Sequence, residues 1–301
     1  MLAKDVLAVA SIVSQSRSIR VTAGINPASA LFTAVSKTNI KWSGGTIDAT
    51  ANTSFASNFF YLSACSKVKI SDVQLIDSGV DRYPNGGIRT TNGSHLMMSN
   101  IQMFDIGGLG LQTFGDTHSH FSNMFIEQST TRSGVETNNG NHNVYTNFII
   151  DCAGTANSAF SFNDKHSVCS NNSCTGGKFG ITVGHAAPYE ADYSTVTGNT
   201  IDSPATSGIN IQASENVAVS GNVVYNTSVG LQATTSALSG AVSGNVISVV
   251  SSIGMRLGGY YSASGNVVNG FTSTGYRSHF DTAYCVLTGN IALNSTSGTG
   301  S

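Results

Sequence analysis

The chain repeats itself roughly every two dozen residues, and that period decides most of what it can become. A short phrase, a small or polar residue followed by Asn and then an apolar residue or Thr, returns along its length. It reads Ser99-Asn100-Ile101, Ser122-Asn123-Met124, Thr146-Asn147-Phe148 and Asn171-Asn172-Ser173, with Ser71-Asp72-Val73 as a forerunner. It continues as Gly198-Asn199-Thr200, Gly221-Asn222-Val223, Gly244-Asn245-Val246, Gly265-Asn266-Val267 and Gly289-Asn290-Ile291. These anchors are spaced by 21 to 28 residues. Between them a second phrase recurs, a Gly or Ala, an apolar residue, then a variable one: Gly87-Ile88-Arg89, Gly110-Leu111-Gln112, Gly134-Val135-Glu136, Ala159-Phe160-Ser161, Gly180-Ile181-Thr182 and onward to Gly275-Tyr276-Arg277. A period in the low twenties, filled with short strands and lacking a helical rhythm, predicts a parallel β-solenoid. Leucine-rich repeats share the period, but their leucine ladder is missing here.

Stacking gives the asparagines a physical reason. Equivalent residues of successive coils lie about 4.8 Å apart, the strand spacing. An Asn at a buried bend can donate to one neighbour and accept from the next. Stacking also accounts for the composition: only 10% of residues are charged, against a usual ~25%. A charge repeated in a column would repel itself, whereas Ser, Thr, Asn and Gly do not. Formal net charge is −2 and no basic block occurs, so nucleic acid is not an expected partner. No apolar run approaches the ~20 residues that a membrane helix needs, so none is expected to enter a membrane. The five cysteines, Cys65, Cys152, Cys169, Cys174 and Cys285, fit neither a zinc site nor a disulfide framework and read as small buried hydrophobes. Leu2, Val6, Val9, Ala10 and Val13 keep an i, i+3, i+4, i+7 rhythm that predicts a short helix over 3–14.

Gly44-Gly45-Thr46-Ile47-Asp48, followed by the Ser-Asn-Ile and Gly-Ile-x-Ile phrases, resembles the right-handed parallel β-helix, or pectin-lyase-like, superfamily over about residues 37 to 295. The resemblance implies an all-β, single-stranded right-handed parallel β-helix of about 10–11 coils. Its N-terminal segment, residues 1–36, would be a cap formed by the short helix and an extended stretch, and residues 37–301 would form the helix domain. The superfamily contains polysaccharide lyases, glycoside hydrolases, epimerases and phage tailspikes, so the resemblance implies a polysaccharide partner and a secreted or virion-associated location. It allows a monomer or a homotrimer. Thr175-Gly176-Gly177-Lys178-Phe179-Gly180-Ile181 is similar to the galacturonase signature, but Lys178-Phe179 replaces its His, and the paired Asp-Asp of the neighbouring coil is absent. No Asp-Pro-His phrase of the alginate epimerases occurs.

In each Gly–apolar–x strand the apolar residue faces the core, so the next faces outward. One outward column therefore reads Arg89, Gln112, Glu136, Ser161, Thr182, Asn210, Gln232, Arg256, Arg277, and a second includes Thr91, Phe114, Asn138 and Asn163. The resemblance implies a carbohydrate groove over this sheet, with residues 80–192 as the active half. His95, His118 and His142 fall five residues before their anchors and His166 six before. They are expected as a stacked surface row, as the lining of that groove, or, as a third reading, as imidazoles on successive rungs sharing a metal ion. Asp116 and Asp164, two coils apart, sit about 10 Å from each other by the strand spacing, at the upper edge for an inverting glycosidase, with Glu136 between them. The expected site therefore has Glu136, Asp116, Asp164, His142 and His118 as catalytic candidates. Arg89, Gln112, Phe114, Asn138, Lys165, His166, His95 and Tyr189 are the expected substrate contacts. No cofactor is expected for a hydrolase, while a lyase could use a divalent cation such as calcium. The expectation is a polysaccharide-cleaving hydrolase or lyase; the alternative is a solenoid that binds glycans or builds a fibre, tailspike or adhesin.

Overall fold

A computed structural model describes residues 11–13, 18–21, 30–52, 57–77, 86–129, 132–152, 157–185, 190–234, 236–278 and 284–293. Among these residues every regular element is a β-strand, and every strand pairing is parallel. About ten coils stack into a β-helix, each contributing one strand to three sheets. One coil serves as the pattern. Val135–Asn141 pairs in the first sheet with Leu111–Phe114 and Ser158–Lys165. Val144–Thr146 pairs in the second sheet with Val168–Ser170. Ile149–Cys152 pairs in the third sheet with Ser173–Gly176. The chain then turns back to the first sheet one strand spacing further along the axis.

The alternation of apolar and polar residues sends one side chain of every pair into a single continuous core. Val135, Tyr145, Phe148, Ile150, Phe160 and Phe162 are all fully buried within it, and Phe121 and Tyr145 stack with ring centroids 5.0 Å apart. Cys65, Cys152, Cys169 and Cys174 are buried free thiols, as small hydrophobes would be. The glycine of the second sequence phrase marks a close approach between sheets. A Cβ on Gly230 would lie 2.2 Å from Ile247 Cγ2 and 2.5 Å from the Gly254 carbonyl oxygen. The third sheet's branched side chains press under the first sheet at this column, and nothing larger fits. The single alanine of the column, Ala159, falls where the third-sheet residue is Cys174 rather than a branched or longer side chain.

The sequence asparagines form two ladders, not one, on adjacent residues of the bend between the second and third sheets. The outer residue of the bend has a left-handed backbone: Asp72, Asn100, Asn123, Asn147 and Asn171 all have φ between 52° and 60°. Gly198, Gly221, Gly244, Gly265 and Gly289 take the same position in later coils. Asn and Gly tolerate this conformation best. The inner residue is apolar in the early coils, at Val73, Ile101, Met124 and Phe148, and is a buried Asn from Asn172 to Asn266. In the inner ladder Asn199 donates through Nδ2 to Asn222 Oδ1 at 2.9 Å, and Asn222 donates to Asn245 at 2.9 Å. Each of these oxygens also accepts the backbone N–H of the preceding coil's Asn.

The expected N-terminal helix is corrected at its end. Residues 3–10 lie outside the described residues, but Ser11–Val13 is a strand that pairs with Lys41–Ser43. Ser18–Arg20 and Ala30–Val35 likewise pair with Thr46–Asp48 and Asn58–Ser63. Strand pairing therefore reaches upstream of residue 37, because a free parallel edge supplies backbone partners that an isolated short helix lacks.

Candidate functional site

The outward face of the first sheet carries the two columns read from the sequence, in register. Tyr61, Arg89, Gln112, Glu136, Ser161, Thr182, Asn210 and Gln232 pair one after another across successive strands. Beside them run Thr91, Phe114, Asn138 and Asn163. Side chains bond both along and across the strands. Glu136 Oε1 accepts from Gln112 Nε2 at 3.3 Å and from Asn138 Nδ2 at 2.9 Å. Asn163 Nδ2 donates to Asn138 Oδ1 at 3.2 Å and to Ser161 Oγ at 3.1 Å. The Arg89 guanidinium lies 5.7 Å from the centroid of the Tyr61 ring, an arrangement in which the ring's negative face attracts the cation.

This face is polar, tightly packed and incompletely satisfied. Gln112, at 9% exposure, and Asn163, at 3%, each keep a carbonyl oxygen without a hydrogen-bond partner, and so do Arg89 Nε and Thr91 Oγ1. Buried polar atoms in folded proteins are nearly always paired. These four atoms have almost no accessible surface of their own, so an external partner with hydroxyl groups would meet this face through its half-exposed side chains, Arg89, Phe114, Glu136 and Ser161.

Asp116 and Asp164 are not on this face. Both lie inside the turn between the first and second sheets with no exposure at all. Asp116 Oδ1 accepts the Gly93 N–H at 2.6 Å, and Thr90 bonds its other oxygen. Asp164 accepts the Gly140 N–H at 2.8 Å, the Asn143 amide at 3.0 Å and the Tyr145 hydroxyl at 2.6 Å. Gly93, Asp116, Gly140 and Asp164 thus alternate in one interior column, each carboxyl filling the space that the preceding glycine leaves. Burial pushes the Asp116 carboxyl up to about 7, with the Thr90 and Gly93 bonds opposing it and the neighbouring Asp164 charge adding to it. Burial raises Asp164 as well, against the bonds from Tyr145, Asn143 and Gly140. The sequence expected both carboxyls in the groove; the structure encloses them inside the turn, with no exposure toward that face. Glu136 is the only carboxylate of the two outward columns between Tyr61 and Gln232.

The histidines form a continuous stack on the outside of the same turn. His95, His118, His142 and His166 follow one another with centroids 5.6, 5.1 and 5.2 Å apart, and Tyr193 extends the row at 5.1 Å. All five have left-handed backbones, and all are exposed. No hydrogen bond joins these imidazoles to Glu136, Asp116 or Asp164 among the described residues, so His118 and His142 are brought together with each other and not with the acids. Lys165, one residue before the stack, is held within the chain: its ammonium lies 2.8 Å from Asp192 and 3.5 Å from Glu190. The Asp192 bond, more than burial opposes it, raises its pKa. Tyr189 lies outside the described residues.

Sequence reasoning missed a carboxylate-lined cavity of about 690 Å³ at the end of the first-sheet face. Lys165, His185, Glu190, Asp192 and Glu215 line it, together with Gln212 and Thr234. Lys165, Asp192 and Glu215 each immediately precede the left-handed residue of the turn; aligning the coils on that residue would have put them in one row. No group of three His, Cys, Asp or Glu side chains is arranged to hold a metal ion among the described residues. No helix of the described residues is long and apolar enough to cross a membrane.

No family model matches the chain, and no curated protein matches it. Solved structures do, and they show the fold. A tailspike protein of E. coli bacteriophage HK620, solved with a pentasaccharide, aligns with a TM-score of 0.63 and 10% identity, covering 95% of this chain and 60% of the tailspike. The Streptococcus pneumoniae surface protein and adhesin PfbA aligns at 0.58 and 9% identity, over 85% of this chain and 89% of the adhesin. A lacto-N-biosidase from Eubacterium ramulus aligns at 0.59 and 9% identity, over 88% of this chain; the chain spans about half, 51%, of that enzyme. The fold is thus a parallel β-helix.

Proposed function

We propose that this parallel β-helix binds a polysaccharide along the outer face of its first sheet, between Arg89 and Thr182. The observation that carries the reading is the in-register row of hydrogen-bonding side chains on that face, Arg89, Gln112, Glu136, Ser161 and Thr182, with Phe114 and Asn138 beside it. Sugar hydroxyls can donate to the carboxylate and hydroxyl oxygens of this row and accept from its guanidinium and amide N–H groups. Phe114 offers a ring beside them for the apolar face of a pyranose. Arg89 favours a chain that carries acidic groups. Similarity to a tailspike solved with a pentasaccharide and to a surface adhesin supports a glycan partner and a location outside the cell or on a virion.

A second reading, cleavage of the bound chain, is favoured by the cavity at the end of that face. Glycoside hydrolysis needs two carboxyl groups flanking the scissile bond, and Glu190, Asp192 and Glu215 surround one space there, whereas Asp116 and Asp164 are enclosed.

The test is a panel of acidic and neutral polysaccharides, read for binding and for new reducing ends. A bound polysaccharide is expected to lose about tenfold in affinity in Phe114→Ala and in Arg89→Ala, about 1.4 kcal/mol each. Reducing ends that appear with the wild type and vanish in Glu190→Gln or Glu215→Gln would establish cleavage. Binding without reducing ends would leave a glycan-binding solenoid. Binding that ignores both first-sheet substitutions would remove the site.

A further inference from the structure

A separate groove of about 740 Å³ runs along the corner between the second and third sheets, across from the face just described. One wall is the outer ladder of the bend: Asn147 Nδ2 donates to Asn123 Oδ1 at 3.1 Å, Asn123 to Asn100 at 3.2 Å, and Asn100 to the Asp72 carboxylate at 3.0 Å. The Asn100 amide holds the Asp72 carboxyl below the usual carboxylate range. The other wall is the outward column of the third sheet, where Thr46, Gln74, Gln102, Phe125 and Ile149 pair in register.

Comparing the two ladders isolates what the outer one leaves over. In the inner ladder Asn222 uses both amide hydrogens, on Val196 O and Asn245 Oδ1, and its own oxygen accepts two N–H groups from Asn199. In the outer ladder Asn123 donates once and accepts once. Asn100 and Asn123 therefore each keep one N–H and one lone pair, displayed about 4.8 Å apart along the groove. From Gly198 onward the same left-handed position is a bare glycine, and the ladder has moved inside. The groove is thus where the chain places its amides outward. Gln102 is exposed beside them, and Phe125, its ring 5.3 Å from that of Phe104, contributes an aromatic face. No Lys, Arg or His lines the groove among the described residues.

We infer that this corner groove is a second carbohydrate site, for an uncharged glycan chain lying along the axis of the β-helix. Paired donors and acceptors at a regular spacing suit hydroxyl groups, the Phe125 ring suits the C–H face of a sugar, and the missing cations exclude selection for an acidic polymer. The site stands on its own geometry and does not depend on the first-sheet reading.

The experiment is calorimetric titration with four neutral hexasaccharides, cellohexaose, maltohexaose, mannohexaose and chitohexaose. The wild type is compared with the double variant Asn100→Gly, Asn123→Gly and with Phe114→Ala. Glycine adopts the left-handed backbone freely and reproduces the bend of the later coils, so the double variant keeps the fold. At least one oligosaccharide is expected to bind the wild type, to lose tenfold or more in affinity in the double glycine variant, and to be unaffected by Phe114→Ala. Binding that survives the glycine pair, or no binding by any of the four, overturns the inference. Self-association of the wild type that the glycine pair abolishes would make the groove a protein interface and also overturn it. Loss in Phe114→Ala alone would place binding on the first sheet and leave the corner without a ligand.

Discussion

Replacing Asn222 by alanine is expected to cost about 3–5 kcal/mol of stability, far beyond what a polar-to-alanine change costs on a surface. Asn222 is fully buried. Its oxygen satisfies the backbone N–H and the side-chain amide of Asn199, both at 2.9 Å, and its own amide satisfies Val196 O at 3.0 Å. Alanine strands these groups with no access to water, and each buried orphan costs about 1–3 kcal/mol. Asn222→Asp keeps the acceptor but, ionised, has no hydrogen for Val196 or Asn245, so it too is expected to destabilise at neutral pH. Urea midpoints of the two variants against the wild type provide the measurement. A loss under about 1 kcal/mol in Asn222→Ala would show that the inner ladder does not hold the bends together.

Asp116→Asn has the second large expected effect, and its sign depends on pH. The Asp116 carboxyl is raised from 3.8 to about 7 in the folded chain, chiefly by burial. Below pH 4 both folded and unfolded chains carry the proton, and the group costs nothing. Between pH 4 and about 7 the unfolded chain releases its proton while the folded chain retains it, so stability falls as pH rises. Above about 7 the loss is complete, and a raise of this size corresponds to about 4 kcal/mol. Asparagine fills the same space, accepts the Gly93 N–H through its oxygen and can donate to the Thr90 hydroxyl, with no proton to lose. The variant is therefore expected to match the wild type near pH 4 and to exceed it by up to about 4 kcal/mol at pH 8. Denaturation of both at pH 4, 6 and 8 gives the comparison; parallel stability profiles would mean that the buried carboxyl ionises at its ordinary pH.

The solenoid, its period and its outward first-sheet columns were all legible in the sequence, because a strand turns alternate residues to opposite faces and stacking repeats the pattern coil by coil. Turns are less legible. A left-handed residue reverses the alternation, so spacing alone could not say that Asp116 points inward while His118, two residues later, points out. The asparagines show the same limit. Aligned as one column, they slip by one residue across Asn171-Asn172, where the ladder passes from the outside of the bend to the inside. His166 stands six residues before Asn172 but five before Asn171, and counted from the structurally equivalent residue it keeps the spacing of the other histidines. The stack was thus written in the sequence with its offset hidden by the ladder's shift. The acid-lined cavity was not, because Glu190, Asp192 and Glu215 come from two turns and meet only when coils of unequal length are superposed.

The claim that the first sheet carries the ligand is tested most directly at the atoms it names. Side-chain amide resonances of Gln112, Asn138, Asn163, Gln74 and Asn222 can be followed by NMR while a polysaccharide found to bind is digested to oligosaccharides and titrated in. The account predicts that the amides of Gln112, Asn138 and Asn163 shift together and saturate with the affinity measured for binding, while the enclosed Asn222 amide stays fixed. Saturating binding that leaves those three amides unmoved would contradict it.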